Sequence, residues 1–173
     1  MLPDPLHPAV VHFPIVLLLL GAPLAVVAVF FRRHHLPLLA AVVLLLGACG
    51  AVVATVTGGK DAEMAGELAG NGESILEQHE EWGERARNFG LIAAVLAIAS
   101  AALARQPAVG RIVGSAAAVA AIAAALSVAQ AGHYGGQVVY KLGVGVNTSA
   151  TPATEGGAPP ATEQGKSGRH DDE

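Results

Sequence analysis

The sequence is poor in charged, aromatic and cysteine residues. Of its 173 residues, 14% are charged and 4% are aromatic, whereas 53% are hydrophobic. Surface helices of soluble domains need a polar face, and these few charges do not supply one for a chain of this length. The single cysteine excludes an intrachain disulfide and a cysteine-based zinc site. We interpret that residue, Cys49, as a buried small hydrophobe.

The hydrophobic residues are collected in four stretches without charge, at 9–31, 36–57, 88–104 and 112–131. A helix needs about 20 residues to cross the hydrocarbon core of a bilayer. The third stretch reaches that length if its helix extends back to residue 80. The sequence therefore predicts an all-α fold: a four-helix transmembrane bundle with spans at about 9–31, 36–57, 80–104 and 112–131.

The residues between and after the spans predict a second level of organisation. The loop between spans two and three has helical composition at 61–68 and again from Glu73 onward, so we expect a partly helical outer loop. Residues 1–146 form the membrane domain in this interpretation. Residues 147–173 are rich in Thr, Pro, Gly and Glu, too polar to form a core, and we expect a disordered polar tail.

Arginines in the loops predict the orientation of the chain. Arg32 and Arg33 follow span one, and Arg105 and Arg111 lie between spans three and four. The positive-inside rule places both loops in the cytoplasm, and both termini on the outer side. Asp4 precedes the first span and no Lys or Arg does, the reverse of a signal peptide, so we expect a retained helix.

Prolines, glycines and alanines predict how the spans begin, pack and end. Pro14 suits the first turn of a helix that begins at His12 or Phe13, where no intrahelical N–H partner is lost. Small residues recur at 47, 51, 54 and 58 in span two and at 110, 114, 118 and 121 in span four, which predicts close helix packing. Gly135 and Gly136 predict the end of span four, with residues 138–146 along the membrane surface.

This topology brings four histidines to the outer edge of the membrane: His7, His12, His79 and His133. Imidazole is a common metal ligand near neutral pH, and paired axial histidines hold b-type haem in helical bundles. His12, His79 and His133 are the candidate metal ligands, and His7 is a second-sphere partner or alternative ligand. Small residues at 83, 86 and 90 follow His79, as a flat ligand or close helix packing would require. Arg85 or Arg87 could pair with a haem propionate.

Three segments carry a resemblance to a known family: LHPAVVHFPIVLLLLG, QHEEWG and HYGGQVVYKLGVGV. They resemble an uncharacterised family of small bacterial four-helix membrane proteins, described as predicted membrane proteins with a domain of unknown function, whose motifs read HPxxxHFP and HxGGxxVYxxGxGV. The resemblance covers roughly residues 5–146. It implies a bacterial protein with a redox association, because related domains occur fused to cytochrome-type or Rieske-type modules. The histidines that match the motifs are His7, His12, His79 and His133.

We interpret the chain as an integral redox protein of the bacterial inner membrane that binds b-type haem and transfers electrons. Its expected partners, besides the lipid bilayer, are a periplasmic cytochrome, a Rieske-type protein or a quinone. Two alternatives stay open: a copper- or zinc-binding membrane protein, and a membrane subunit or anchor without a cofactor. A CxxCH motif is absent, which excludes covalently attached haem.

The sequence favours an electron-transfer or binding protein over a stand-alone enzyme. It contains no nucleophile beside a base, no phosphate-binding loop and no HExxH motif. The net charge is -4, and no basic patch indicates a nucleic-acid partner.

Overall fold

The computed structural model describes residues 10–31, 35–69 and 73–142, with side chains for 10–31, 35–59 and 73–141. Four helices make up this part of the chain: α1 (His12–Phe30), α2 (Leu36–Ala69), α3 (Glu73–Ala102) and α4 (Pro107–Leu142). A 3-10 turn at Leu103–Arg105 joins α3 to α4. No strand occurs in the described ranges, so the predicted all-α class is confirmed. Each helix is long and apolar enough to cross a membrane.

The helices form an antiparallel bundle in which chain neighbours are also neighbours in space. The α3–α4 interface is the most extensive, α2 packs on α1 and α3, and α4 returns to pack on α1. Short connections at 31–35 and 103–106 produce this up-and-down arrangement. As a consequence, the start of α1, the end of α2, the start of α3 and the end of α4 share one end of the bundle.

The interior of the bundle consists almost entirely of alanine, and the large aliphatic side chains face outward. Leu18 and Leu44 are the large side chains that are fully buried among the described residues. In contrast, Leu20, Val95 and Val119 are 59%, 65% and 68% exposed. Lipid solvates such side chains as well as a protein core does, so helices in a membrane associate through close contact of small residues. The exposed aliphatic surface is therefore the lipid-facing surface of a membrane bundle.

The two buried leucines occupy the space that glycines leave. A Cβ atom on Gly47 or Gly90 would lie 3.1 or 3.2 Å from Cδ2 of Leu18, which thus reaches from α1 across to α2 and α3. The small-residue stripes predicted to pack are buried at 47, 51, 54, 110, 114, 118 and 121, and half-buried at Gly58. The prediction that these stripes serve close helix packing is confirmed.

The first turn of α1 agrees with the sequence. The helix begins at His12, and the buried Pro14 lies in its first turn. Pro23 lies inside the same helix, which continues to Phe30. Residues 1–9, with His7, and the tail at 147–173 lie outside the described residues.

Two expectations are wrong. Gly135 and Gly136 do not end the fourth helix, because α4 continues through both to Leu142. Gly135 instead allows α3 to approach α4 closely, and Val138 beyond it is buried. Cys49 is exposed rather than buried, on the outward side of α2. Helix periodicity places it there, since the inward positions of that stretch are Gly47, Ala48 and Ala51.

Candidate histidine site at the membrane edge

Three of the four predicted site histidines lie at the same end of the bundle. His12 opens α1, His79 is in the second turn of α3, and His133 lies near the end of α4. His7 lies outside the described residues, and His35, just before α2, is at the opposite end. The alternating direction of the four helices accounts for this gathering, because each contributing residue lies at the appropriate helix terminus.

The length of the helices places this end just outside the hydrocarbon core. At about 1.5 Å rise per residue, a 30 Å core takes about 20 residues. Counted from Ala102 and Pro107, the crossing segments of α3 and α4 end near Gly83 and Leu126. On this count we expect His79 and His133 within about 10 Å of the edge of the core, at the depth of the lipid headgroups.

His79 is held across the α3–α4 interface by a hydrogen bond. Its Nδ1 lies 2.8 Å from the carbonyl oxygen of Ala131, and the ring is half-buried. A carbonyl oxygen only accepts, so Nδ1 carries the proton and donates. In the neutral imidazole the lone pair is then on Nε2. The position and the tautomer of this ring are set by a backbone group of another helix.

Gly135 gives the ring of His79 its place against α4. A Cβ atom on Gly135 would lie 3.0 Å from Cε1 and 3.1 Å from Nδ1 of His79. Such distances are tighter than most real Cβ contacts, so a larger residue here would require the ring to shift by a few tenths of an ångström. The adjacent Gly136 has nothing within 4 Å of its Cβ position. Only the first glycine of the pair is therefore needed for this contact.

His133 takes part in a chain of hydrogen bonds along α4. Lys141 Nζ donates to Oε1 of Gln137 at 2.7 Å, and Nε2 of Gln137 lies 2.9 Å from Nε2 of His133. Because Lys141 engages the amide oxygen, the amide nitrogen of Gln137 is the group that faces His133 and donates to it. His133 then accepts at Nε2 and carries its proton on Nδ1. This is the same tautomer as that of His79, with the proton on Nδ1 and the lone pair on Nε2.

An open groove of about 590 Å³ runs between α3 and α4 on the outward side, beginning at His133. The other lining residues are Trp82, Phe89, Ala123, Leu126, Ser127, Ala129 and Gln130. The guanidinium of Arg85 lies 4.4 Å from the centroid of the Trp82 ring and forms an ion pair with Glu81. The groove is thus apolar along its length and carries hydrogen-bonding groups at its outer end.

The small residues below His79 serve packing. Ala86 is buried, and the space beside Gly90 is filled by Leu18. The sequence left two interpretations of these small residues open, a slot for a flat ligand and close helix packing. At Ala86 and Gly90 the structure shows close helix packing. Gly83 alone has nothing within 4 Å of its Cβ position.

Arg87 connects α3 to α2. Its Nη1 donates to Oγ1 of Thr55 at 3.5 Å, its Nε donates to Oδ1 of Asn88 at 3.2 Å, and Nη2 lies 3.6 Å from Oε1 of Glu84. Arg85 is the arginine beside the groove.

Some residues of the site were not predicted from the sequence. The carbonyl of Ala131 carries no side-chain signal at all, and Gln137 could have been found only through its spacing of four residues from both His133 and Lys141. Within the part of the chain that the structure describes, no three His, Cys, Asp or Glu side chains come together as a metal ion would require.

The fold and the exposed aliphatic surface define this protein as a four-helix integral membrane protein with a histidine-bearing edge. Residues 3–148 match the model of the DUF2231 family, described as predicted membrane proteins, and the chain belongs to that family. The match includes all four helices and every predicted site histidine. No curated protein and no solved structure matches this chain.

Proposed function

We propose that this protein is a membrane electron-transfer protein that holds a b-type haem at its histidine-bearing edge. The observation that carries the proposal is the hydrogen bond from His79 Nδ1 to Ala131 O. Ligating histidines typically donate their second ring N–H to a carbonyl or carboxylate, which orients the ring and makes the ligating nitrogen more basic. His79 has this arrangement, with Nε2 as the ligating atom.

The residues around His79 fit such a group chemically. Gly135 leaves room for the imidazole against α4. Arg85 lies over the Trp82 ring and is paired with Glu81, so it would have to leave Glu81 in order to pair with a propionate. When bound, a haem supplies one-electron redox chemistry. The chain contributes an imidazole that is oriented by its hydrogen bond to Ala131.

His7, His12 or His133 would supply the second histidine that holds the haem. His133 lines the groove beside α3, and His12 lies at the start of α1; both side chains are exposed. A copper or zinc ion is the alternative to the haem, but His12, His79 and His133 do not come together among the described residues as a single ion would require. The electron partner would be a periplasmic cytochrome, a Rieske-type protein or a quinone at the outer face of the bacterial inner membrane.

The visible spectrum of the detergent-purified protein tests the proposal. We expect a Soret band in the air-oxidised protein that shifts upon reduction with dithionite. His79→Ala and one further histidine variant should lose the band, and the remaining two should keep it with a changed midpoint potential. His35→Ala, at the opposite bundle end, is the matched control and should retain the full spectrum.

A purified protein without a Soret band, after expression with adequate haem, would contradict haem binding. Elemental analysis of the same sample would then distinguish copper or zinc from a protein without metal. Equal haem content in all four histidine variants would show that other residues are the ligands.

A membrane subunit without a cofactor is the second candidate, and the same hydrogen bond supports it. A bond from His79 to Ala131 also stabilises the α3–α4 interface, worth about 1 kcal/mol for a typical intramolecular hydrogen bond. In this case His79→Ala lowers the stability of a protein that never contained haem. Spectrum and stability measured on the same variant separate the two candidates.

A further inference from the structure

We propose that the groove between α3 and α4 binds a lipid quinone. The quinone ring lies at the outer end, beside Trp82, Gln130 and His133, and its isoprenoid tail follows Phe89 and Leu126 toward the bilayer centre. The electron transfer that such a site would serve rests on the proposed function. Binding of the quinone does not, since it requires only the groove.

The position of the groove limits its occupants to molecules of the bilayer. It lies on the outward side of the bundle, next to exposed side chains such as Ile122 and Leu126. From Ala123 to His133 it follows ten residues of α4, about 15 Å at 1.5 Å per residue. Its lower part lies within the hydrocarbon core and its upper part among the headgroups, so the occupant is an amphiphile.

The absence of charge among the eight lining residues favours a neutral head group. Arg85, the cation next to Trp82, is already paired with Glu81. The phosphate of a phospholipid is typically matched by arginine or lysine, and the lining offers neither. A quinone ring is uncharged and carries two carbonyl oxygens that accept hydrogen bonds.

Hydrogen-bond donors at the outer end match those carbonyl oxygens. Trp82 has its indole N–H, Gln130 has an amide NH₂, and His133 carries its proton on Nδ1 because Gln137 donates to Nε2. In this tautomer, Nδ1 of His133 can donate a hydrogen bond while Nε2 accepts one from Gln137. The aromatic surfaces of Trp82 and Phe89 suit stacking with a flat ring.

Trp82 provides a direct measurement, because it is the single tryptophan of the chain. The full-length protein in phosphatidylcholine nanodiscs is titrated with decylubiquinone, and quenching of the Trp82 fluorescence is followed. We expect saturable quenching. Ala123→Leu and Ala129→Leu fill part of the groove with a larger side chain. Each should raise the quinone concentration at half-maximal quenching (the midpoint) about tenfold or more, which corresponds to about 1.4 kcal/mol. Ala129 is exposed, so its variant also remains informative if Ala123→Leu does not fold.

Ala116→Leu is the matched control. Ala116 is exposed on the same side of α4, two turns (about 10 Å) from Ala123 toward the other membrane face. Its midpoint should equal that of the unmodified protein.

Three results would overturn the proposal. Quenching that rises linearly and equally in all variants means that the quinone is only dissolved in the bilayer. Brominated phosphatidylglycerol could instead quench saturably and lose this quenching in the groove variants, while quenching by decylubiquinone stays the same in all variants. That result assigns the groove to a phospholipid. Loss of the Soret band in Ala129→Leu makes the groove the haem site. Saturable quinone quenching in a protein without a Soret band supports the groove and contradicts the haem.

Discussion

At the level of single residues, the contact between His79 and Gly135 explains why a glycine lies inside a helix. Glycine costs about 1 kcal/mol in a helix interior relative to alanine. At Gly135 this cost is offset by the close approach of the imidazole and its hydrogen bond to Ala131. Gly136 has no such contact. Two adjacent glycines in the same helix thus have different physical roles.

This difference predicts opposite effects of the same substitution. Gly135→Ala should lower the free energy of unfolding by about 1–2 kcal/mol, since the new methyl group displaces the ring and weakens its hydrogen bond. Gly136→Ala should leave stability unchanged or raise it by up to about 1 kcal/mol, because alanine has the higher helix propensity. Reversible unfolding in mixed micelles measures both, and equal effects would show that His79 does not depend on Gly135.

At the level of helices, the bundle is assembled by leucines that fill the space above glycines. A Cβ atom on Gly21 of α1 would lie 2.6 Å from Cδ2 of Leu44 on α2, just as Gly47 and Gly90 accommodate Leu18. In water such leucines would contribute mainly through the hydrophobic effect. In lipid their contribution is van der Waals contact, which depends on the fit between the two helix surfaces.

The contact between Gly21 and Leu44 should therefore show strong coupling. Gly21→Ala alone should destabilise the bundle by about 1–3 kcal/mol through overpacking, and Leu44→Ala by about 2–5 kcal/mol through the cavity that it leaves. The double variant should be destabilised by less than the sum of the two single effects, because alanine at position 44 leaves room for the new methyl group at position 21. A double-mutant cycle on the unfolding free energy measures this coupling, and simple additivity would contradict the contact.

At the level of the whole molecule, the helices are unequal in length and extend beyond the membrane at one end. α1 has 19 residues, whereas α2, α3 and α4 have 34, 30 and 36. With about 20 residues needed for the crossing, the three longer helices extend past the hydrocarbon core on the side where α1 begins. His79 and His133 belong to this extension, so we expect the candidate site at the depth of the lipid headgroups.

The arginines predict which face of the membrane this extension occupies. In a Cys49→Ser background, a membrane-impermeant maleimide should label Ser74→Cys at the start of α3 in intact cells, since the positive-inside rule places it outside. Ala104→Cys, in the turn between α3 and α4, should react only after permeabilisation. Both positions are exposed. The reverse pattern would place the histidine-bearing edge in the cytoplasm.

Much of the architecture could be predicted from the sequence because membrane helices are long and locally determined. The lipid offers no hydrogen-bond partners to the backbone, so an apolar stretch of sufficient length must be helical. The start of α1 at His12 could also be predicted, because proline is tolerated in the first turn of a helix and Pro14 lies there. The end of α4 could not be predicted, because Gly135 is a helix breaker by propensity and a contact residue in the bundle.

The sequence by itself determined the number of helices, their alternating direction, and therefore that His12, His79 and His133 share one end of the bundle. These properties depend on length and polarity, which act within each segment. Only the tertiary structure decided that His79 donates to Ala131 and that His133 lines a lipid-facing groove between α3 and α4. These depend on the rotation and register of α3 against α4, which are set by contacts between small residues far apart in the chain.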